Sequence, residues 1–256
     1  MSKNDVKFKW EASVSRNLAR YWEEFVDCRK RMLSEGPFLR ELIDQYEHPQ
    51  VLDAAMGIGC ETIWLAGQGI QVLGNEVEQD LREVAEKRAS DEGVTLETCS
   101  ADWRCLSRGL RQRQFDVVLL LGNSLSLLRD LRDRKATARE LFRVCKPGGR
   151  VVVDERNFRY ILSNQEEILA GRFRYQHRVI YCGKSVVGRP IQIADDCVRF
   201  GYSRGGEGIG TLDMHPFSSG ELVSLFLEAG FANAAMFSDF ESGYSETADF
   251  YTYCFW

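Results

Sequence analysis

Hydrophobic positions change their spacing several times along the chain, and each change marks an element. Leu18, Tyr21, Trp22, Phe25 and Val26 recur at helical spacing and predict an amphipathic helix over 15–33, ended by Gly36-Pro37. A second helix is expected over 38–46. Short apolar runs then alternate with helical stretches. Strands are expected at Val51-Leu52, 70–74, 94–98, 115–121 and 150–154, with helices at 60–66, 78–91 and 133–144. Such alternation builds a parallel sheet with helices on both faces. Beyond Asn157 the pattern changes. Residues 160–169 read as helical, and 173–213, rich in Val, Ile, Tyr and Phe with glycine punctuation, predict inserted antiparallel strands. A helix returns over 218–229, and 234–240 and 250–255 read as a hairpin-like pair closing the sheet edge. Residues 1–14 are expected to be a mobile arm.

The run Val51-Leu52-Asp53-Ala54-Ala55-Met56-Gly57-Ile58-Gly59 joins the first strand to its helix. Gly57 and Gly59 permit a tight turn and close approach of a ligand to the backbone. A strand–loop–helix places that ligand at the carboxyl end of the strand, beside the helix N-terminus. A dinucleotide loop has the spacing G-x-G-x-x-G, so that a pyrophosphate lies on its amides. That pattern is missing, and Asp53 precedes a shorter A-x-G-x-G turn. An anion at the mouth of the loop repels a pyrophosphate and suits a ligand with cationic groups, such as the sulfonium and ammonium of S-adenosylmethionine. The loop resembles the first motif of Rossmann-like S-adenosylmethionine methyltransferases, with Ala55 where a glycine is usual. A buried strand with a glycine turn is the plainer reading.

Four further stretches should meet the loop at the carboxyl edge of the sheet. Glu76 lies about twenty residues past the glycine loop, where a carboxylate can accept both ribose hydroxyls; a solvated acid at a helix start is the alternative. Asp102 offers an acceptor to an adenine amino group and Trp103 a surface for its ring, or else they are a loop acid and a core tryptophan. Leu121-Gly122-Asn123-Ser124 ends an apolar strand in amide and hydroxyl groups, which suits a cleft or a simple turn. In Asp154-Glu155-Arg156-Asn157 the arginine can clamp a carboxylate through two parallel hydrogen bonds, or pair with a neighbouring acid.

Composition narrows the partners. The chain has 256 residues and a net charge of −5, enough length for one large core and no basic stripe for a nucleic acid. No apolar run is long enough to cross a membrane, and the first residues are unlike a signal peptide. Eight cysteines form no C-x-x-C pair, so neither zinc nor a disulfide framework is indicated, and no metal site is expected. Most are expected to be reduced thiols in a cytoplasmic protein.

With these residues in view the chain resembles the glycine/sarcosine N-methyltransferases from about Tyr21 to its end. L-G-N-S (121–124) and D-E-R-N-F-R-Y-I-L (154–162) carry most of the likeness, with Y-C-G (181–183), L-D-M-H-P (212–216), S-D-F (238–240) and D-F-Y-T-Y (249–253). The resemblance implies a seven-stranded Rossmann-like α/β sheet with a helical cap and an inserted antiparallel β subdomain. It implies one domain over 1–256: arm and cap 1–48, cofactor core 49–156, substrate-side insertion 157–216, C-terminal helix and strands 217–256. S-adenosylmethionine would be held by Asp53, Ala55, Gly57, Glu76, Asp102, Trp103, Leu121 and Gly122, with Tyr21, Trp22 and Arg31 closing over it; Arg29 and Lys30 compete with Arg31. Asn123 and Ser124 would line the meeting point of cofactor and acceptor, and Arg156 would bind the acceptor's carboxylate. Asn157, Tyr160 and His215 are further substrate-side candidates, His215 against the commoner structural role of a lone histidine.

Leu127 stands at or near a place where the family usually carries a histidine, which points to a larger or more apolar acceptor. The activity implied is direct methyl transfer to the amine of a small amino acid such as glycine or sarcosine. A natural-product N- or O-methyltransferase and a non-catalytic S-adenosylmethionine-binding regulator are the alternatives. The partner is then a small molecule rather than a nucleic acid or a membrane, and a homo-oligomer is compatible with the sequence.

Overall fold

The computed structural model describes residues 16–172 and 185–256. The expected arm at 1–14, the start of the expected insertion at 173–184 and the Y-C-G stretch therefore lie outside the described residues. The chain enters through α1 (Arg16–Arg20), α2 (Trp22–Phe25) and α3 (Cys28–Ile43). The helical break falls at Val26-Asp27 rather than at Gly36-Pro37. Asp27 caps α3, its carboxylate accepting from the Lys30 N–H at 3.1 Å, and α3 runs on through Pro37. Gly36 is placed by packing: a β-carbon there would lie 2.9 Å from the Trp64 ring.

Strands and helices then alternate: β1 (Gln50–Asp53), α4 (Cys60–Gly67), β2 (Gln71–Asn75), α5 (Gln79–Asp91), β3 (Glu97–Cys99), α6 (Leu106–Gly109), β4 (Phe115–Leu120), α7 (Leu131–Val144) and β5 (Cys145–Arg156). Short helices α8 (Phe158–Ser163) and α9 (Gln165–Glu167) follow. Strands β6 (Val186–Ala194), β7 (Cys197–Arg204) and β8 (Glu207–Met214) form a separate antiparallel sheet in that order. Helix α10 (Glu221–Ala229) precedes β9 (Ala234–Ser238), β10 (Glu241–Ser242) and β11 (Phe250–Phe255).

The main sheet has eight strands in the order β10-β9-β11-β5-β4-β1-β2-β3. Seven were expected; the addition is the two-residue β10. The last long strands, β9 and β11, pair antiparallel at the sheet edge as expected, with only the two-residue β10 beyond them. β11 inserts antiparallel between β5 and β9, pairing Thr252 with Asp154 on one side and with Phe237 on the other. Alternate residues of each central strand enter two hydrophobic clusters. Leu52, Val118, Leu120, Val151 and Val153 belong to one, and Val51, Val117, Leu119 and Val152 to the other. Both faces are thus covered, which explains the unbroken apolar runs of these strands. Among the described residues no helix is long and apolar enough to cross a membrane.

Candidate active site

A cavity of about 1030 Å³, counting its open mouth, lies at the carboxyl ends of β1, β2 and β4, between the cap helices and the small sheet. Its floor is the glycine loop. The Gly57 N–H donates to Glu76 Oε2 at 2.9 Å, and the Glu78 N–H donates to Glu76 Oε1 at 2.9 Å. The acid at the end of β2 therefore fastens the loop at the end of β1. Burial raises the pKa of Glu76 although both backbone bonds oppose it.

Beneath the floor is a polar knot. Asn75, fully buried, donates through Nδ2 to the carbonyls of Ala54 and Ala101 and accepts the Ala101 N–H at 2.6 Å. The Trp103 indole N–H donates to the Ala54 carbonyl at 2.6 Å. Asn75 thus joins the ends of β1, β2 and β3 and sets Trp103 in the cavity wall. Its importance is invisible along the chain, because its partners meet only once the strands are in register.

The turn after β4 is propped from β5. Asp154 accepts the Asn123 N–H at 2.6 Å and the Gly122 N–H at 3.1 Å. Gly122 and Asn123 both have left-handed backbones, at φ 79° and 61°. Glycine and asparagine are the residue types that tolerate that conformation. Asn123 Oδ1 accepts the Arg156 N–H at 3.0 Å, and its Nδ2 donates to Met214 Sδ at 3.2 Å. Ser124 Oγ donates to the Leu121 carbonyl at 2.6 Å. The Arg156 guanidinium lies 4.6 Å from the Phe200 ring centre and 5.0 Å from that of Phe250. Both rings present π faces to a cation that is only 4% exposed.

Over the top, Arg31 of α3 donates to Glu35 Oε2 at 3.1 Å and meets Glu61 Oε1 at 2.5 Å, all three side chains being almost completely buried. Arg29 and Lys30 are exposed and are not among the cavity-lining residues, so the geometry separates Arg31 from its neighbours in sequence. Trp22 and Phe25 of α2 pack on Tyr202 of β7, at 5.8 and 5.0 Å between ring centres. Cap and small sheet therefore meet across the cavity.

Eleven of the expected residues line this space together: Trp22, Arg31, Ala55, Gly57, Glu76, Trp103, Leu121, Gly122, Asn123, Ser124 and Arg156. Leu127 lines it too. Six do not. Asp53, 2% exposed, accepts from Thr62 Oγ1 at 2.6 Å and from the Ala55 N–H; its carboxyl is pushed up to about 7 by burial and by Glu61. It braces the loop from below and is not among the cavity-lining residues. Asp102 caps the turn at Trp103 and is held by Arg104 at 2.6 Å. Tyr21 lies under Arg204, 5.3 Å from its ring centre.

Three of the substrate-side candidates, Asn157, Tyr160 and His215, are likewise not among the cavity-lining residues. Asn157 caps α8 through Tyr160 and donates to the carbonyls of Glu246 and Ala248. Tyr160 packs, half-buried, against the main core. His215 Nε2 lies 2.7 Å from Glu221 Oε1, its ring against Phe217. Burial lowers its pKa, the Glu221 bond opposing. In each case spacing locates the strand end, while the direction of the side chain depends on a partner brought in by the fold.

Residues not foreseen in the wall include Met56, Ile58, Glu61, Glu78, Leu212 and Met214. Leu212 and Met214 could have been found from the alternation of β8. Cys60 also lines the cavity and is joined by a disulfide to Cys28 at the start of α3, with 5.0 Å between Cα atoms. Among the described residues the other five cysteines are free, in keeping with the expectation that most are reduced; this pair is the exception, 32 residues apart in sequence and so without a legible spacing.

Residues 51–149 match the family model described as a methyltransferase domain. A glycine/sarcosine N-methyltransferase of Parasynechococcus marenigrum is 31% identical over 232 residues, which cover 91% of this chain and 80% of that protein. A S-adenosylmethionine-dependent methyltransferase from Clostridium acetobutylicum superposes with a TM-score of 0.70 at 17% identity, covering 93% of this chain and 96% of that one. A Bacteroides fragilis S-adenosylmethionine-dependent methyltransferase, solved with S-adenosyl-L-homocysteine, gives 0.55 at 16% identity, over 93% of this chain and 81% of that one.

Proposed function

The chain belongs to the glycine/sarcosine N-methyltransferase family of class I S-adenosylmethionine-dependent methyltransferases, and from that premise we propose that it methylates the amine of a small amino acid, glycine, sarcosine or one similar. The observation that carries this reading is the position of Arg156. Arg156 lines the same cavity as Glu76, Trp103 and the glycine loop, and its backbone is tied to Asn123.

The residues present fit S-adenosylmethionine. Met56, Ile58, Leu81 and Trp103 offer an apolar slot for a purine, Glu76 stands where ribose hydroxyls would need an acceptor, and the buried Glu61 and half-buried Glu78 supply negative charge toward a cationic end. When bound, this cofactor supplies an electrophilic methyl group on its sulfonium. The chain's own task is positioning. Arg156 holds the acceptor's carboxylate in a bidentate pair. The turn Gly122–Ser124, stiffened by Asp154, orients the amine beside it. An amine with a neutral fraction near neutral pH already has its lone pair, so no strong base is required. Fixing both reactants lowers the barrier by on the order of several kcal/mol. We place this chemistry in the cytoplasm.

Leu127, Leu212, Met214 and Tyr202 make the acceptor side of the wall more apolar than glycine requires. That favours, as a second reading, a larger amine or hydroxyl acceptor. The deciding experiment incubates the protein with S-adenosylmethionine and glycine, sarcosine, dimethylglycine and other amino acids, with products followed by mass spectrometry. Methylated glycine or sarcosine is expected. Turnover only on bulky acceptors selects the second reading.

A further inference from the structure

The bond between Cys28 and Cys60 joins two walls of the cavity. Cys28 is the first residue of α3, three positions before Arg31, and Cys60 is the first residue of α4, directly after the glycine loop. The cap supplies Trp22, Phe25, Val26 and Arg31 to the cavity, and the loop supplies residues 55–58. The bond resists separation of cap and loop.

Two features make the bond accessible to exchange. Cys28 is half-buried and lines a second, open hollow with Glu23, Asp27, Arg29, Ile58 and Arg88, on the outer side of the cap. Arg88 Nη1 lies 3.1 Å from Cys28 Sγ and donates to the Ile58 carbonyl at 2.6 Å. A guanidinium so placed stabilises a thiolate on Cys28. Cys60, at a helix N-terminus, leaves as a thiolate in a favourable field.

We propose that Cys28 and Cys60 form a reversible thiol–disulfide site for low-molecular-weight thiols and disulfides, and that the bond controls release of the spent cofactor by fastening α3 to the glycine loop. The control rests on the cavity being the cofactor site. In the reducing direction a small thiolate attacks Cys28 Sγ, the protein S–S bond breaks, and its electron pair leaves on Cys60, which takes a proton. A second small thiolate attacks the small-molecule sulfur of the mixed disulfide and expels Cys28 as a thiolate beside Arg88. Two small thiols are oxidised to one disulfide while the protein bond is reduced to two thiols. Oxidation by a low-molecular-weight disulfide reverses both steps.

The test uses the full chain, oxidised with glutathione disulfide or reduced with dithiothreitol. Thiol titration of the unfolded protein counts the redox state, the oxidised form showing two fewer than the eight cysteines present. Release of pre-bound radiolabelled S-adenosyl-L-homocysteine into excess unlabelled ligand is then timed. The oxidised form should release it about tenfold more slowly or slower still, since opening of a wall governs exit. Cys28→Ser should release at the reduced rate under both conditions. Equal rates in the two wild-type states, or a redox effect that persists in Cys28→Ser, overturn the control. Without ligand, amide hydrogen exchange over 22–32 should slow on oxidation; unchanged exchange overturns the fastening itself. Failure of S-adenosyl-L-homocysteine to bind in either state overturns the cofactor assignment, and with it the control, while the exchange result still reads the fastening.

Discussion

Arg156, one of the residues that line the cavity, holds a positive charge almost wholly withdrawn from water, with two aromatic faces beside it. Such a cation gains most from a planar anion that both arms of its fork can reach. Arg156→Ala should lower kcat/KM for the amino-acid acceptor about a hundredfold or more, the cost of a bidentate charged pair, while the Kd for S-adenosyl-L-homocysteine by calorimetry stays within about twofold. A cofactor Kd that rises with the loss of activity would count against the clamp. Glu76→Ala should do the reverse. It removes both the acceptor at the end of β2 and the brace on the Gly57 N–H, so the cofactor Kd should rise about tenfold or more. Turnover at saturating cofactor should be largely kept. At this scale the sequence located the strand ends but not the aim of the side chains. Asp53 and Asp102 carry acids at the right offsets, yet Thr62 and Arg104 turn them away from the wall. Asn75 and Asp154 support the site without a motif, because their partners lie on neighbouring strands.

The cap shows how an element can be read correctly in kind and wrongly in its joints. Helical periodicity before β1 was legible, and Asp27 is an ordinary capping residue. The break nonetheless falls at Asp27 because α3 packs Gly36 on Trp64 and buries Leu39, Leu42 and Ile43 against the sheet. Its ion cluster has a consequence for stability. Arg31 faces Glu35 and Glu61, and all three are nearly sealed from water. Removing the cation alone leaves two carboxylates buried with like charge. Arg31→Met should therefore cost about 3–5 kcal/mol in denaturant unfolding, well beyond a surface pair. Adding Glu35→Gln to that variant should recover part of the loss. A cost below about 1 kcal/mol for the single change would show that the cluster is hydrated in solution.

The whole sheet depends on one seam that periodicity does not reveal. Alternation of strands and helices gives β1 to β5 their parallel order, but the insertion of β11 between β5 and β9 requires antiparallel pairing across nearly a hundred residues. On this seam Tyr253 donates its hydroxyl to Glu155 Oε1 at 2.8 Å, and Glu155 is 6% exposed. Burial pushes the Glu155 carboxyl up from 4.5 to about 8, against the Tyr253 bond that favours its charged form. A folded-state pKa above the unfolded one means that the folded protein holds a proton the unfolded chain gives up. The contribution is complete below about pH 4.5, declines as pH rises, and is lost above about pH 8. Folding stability measured in denaturant should thus fall between pH 5 and pH 9 by on the order of a few kcal/mol from this group. Asp53, Asp154 and Glu76, also raised by burial, add slope of the same sign. Glu155→Gln keeps an acceptor for Tyr253 and cannot ionise, so its stability profile should be shallower than the wild type's, with the gap widest near pH 9. Equal slopes would mean that Glu155 is charged in the folded protein and that the β5–β11 seam admits water.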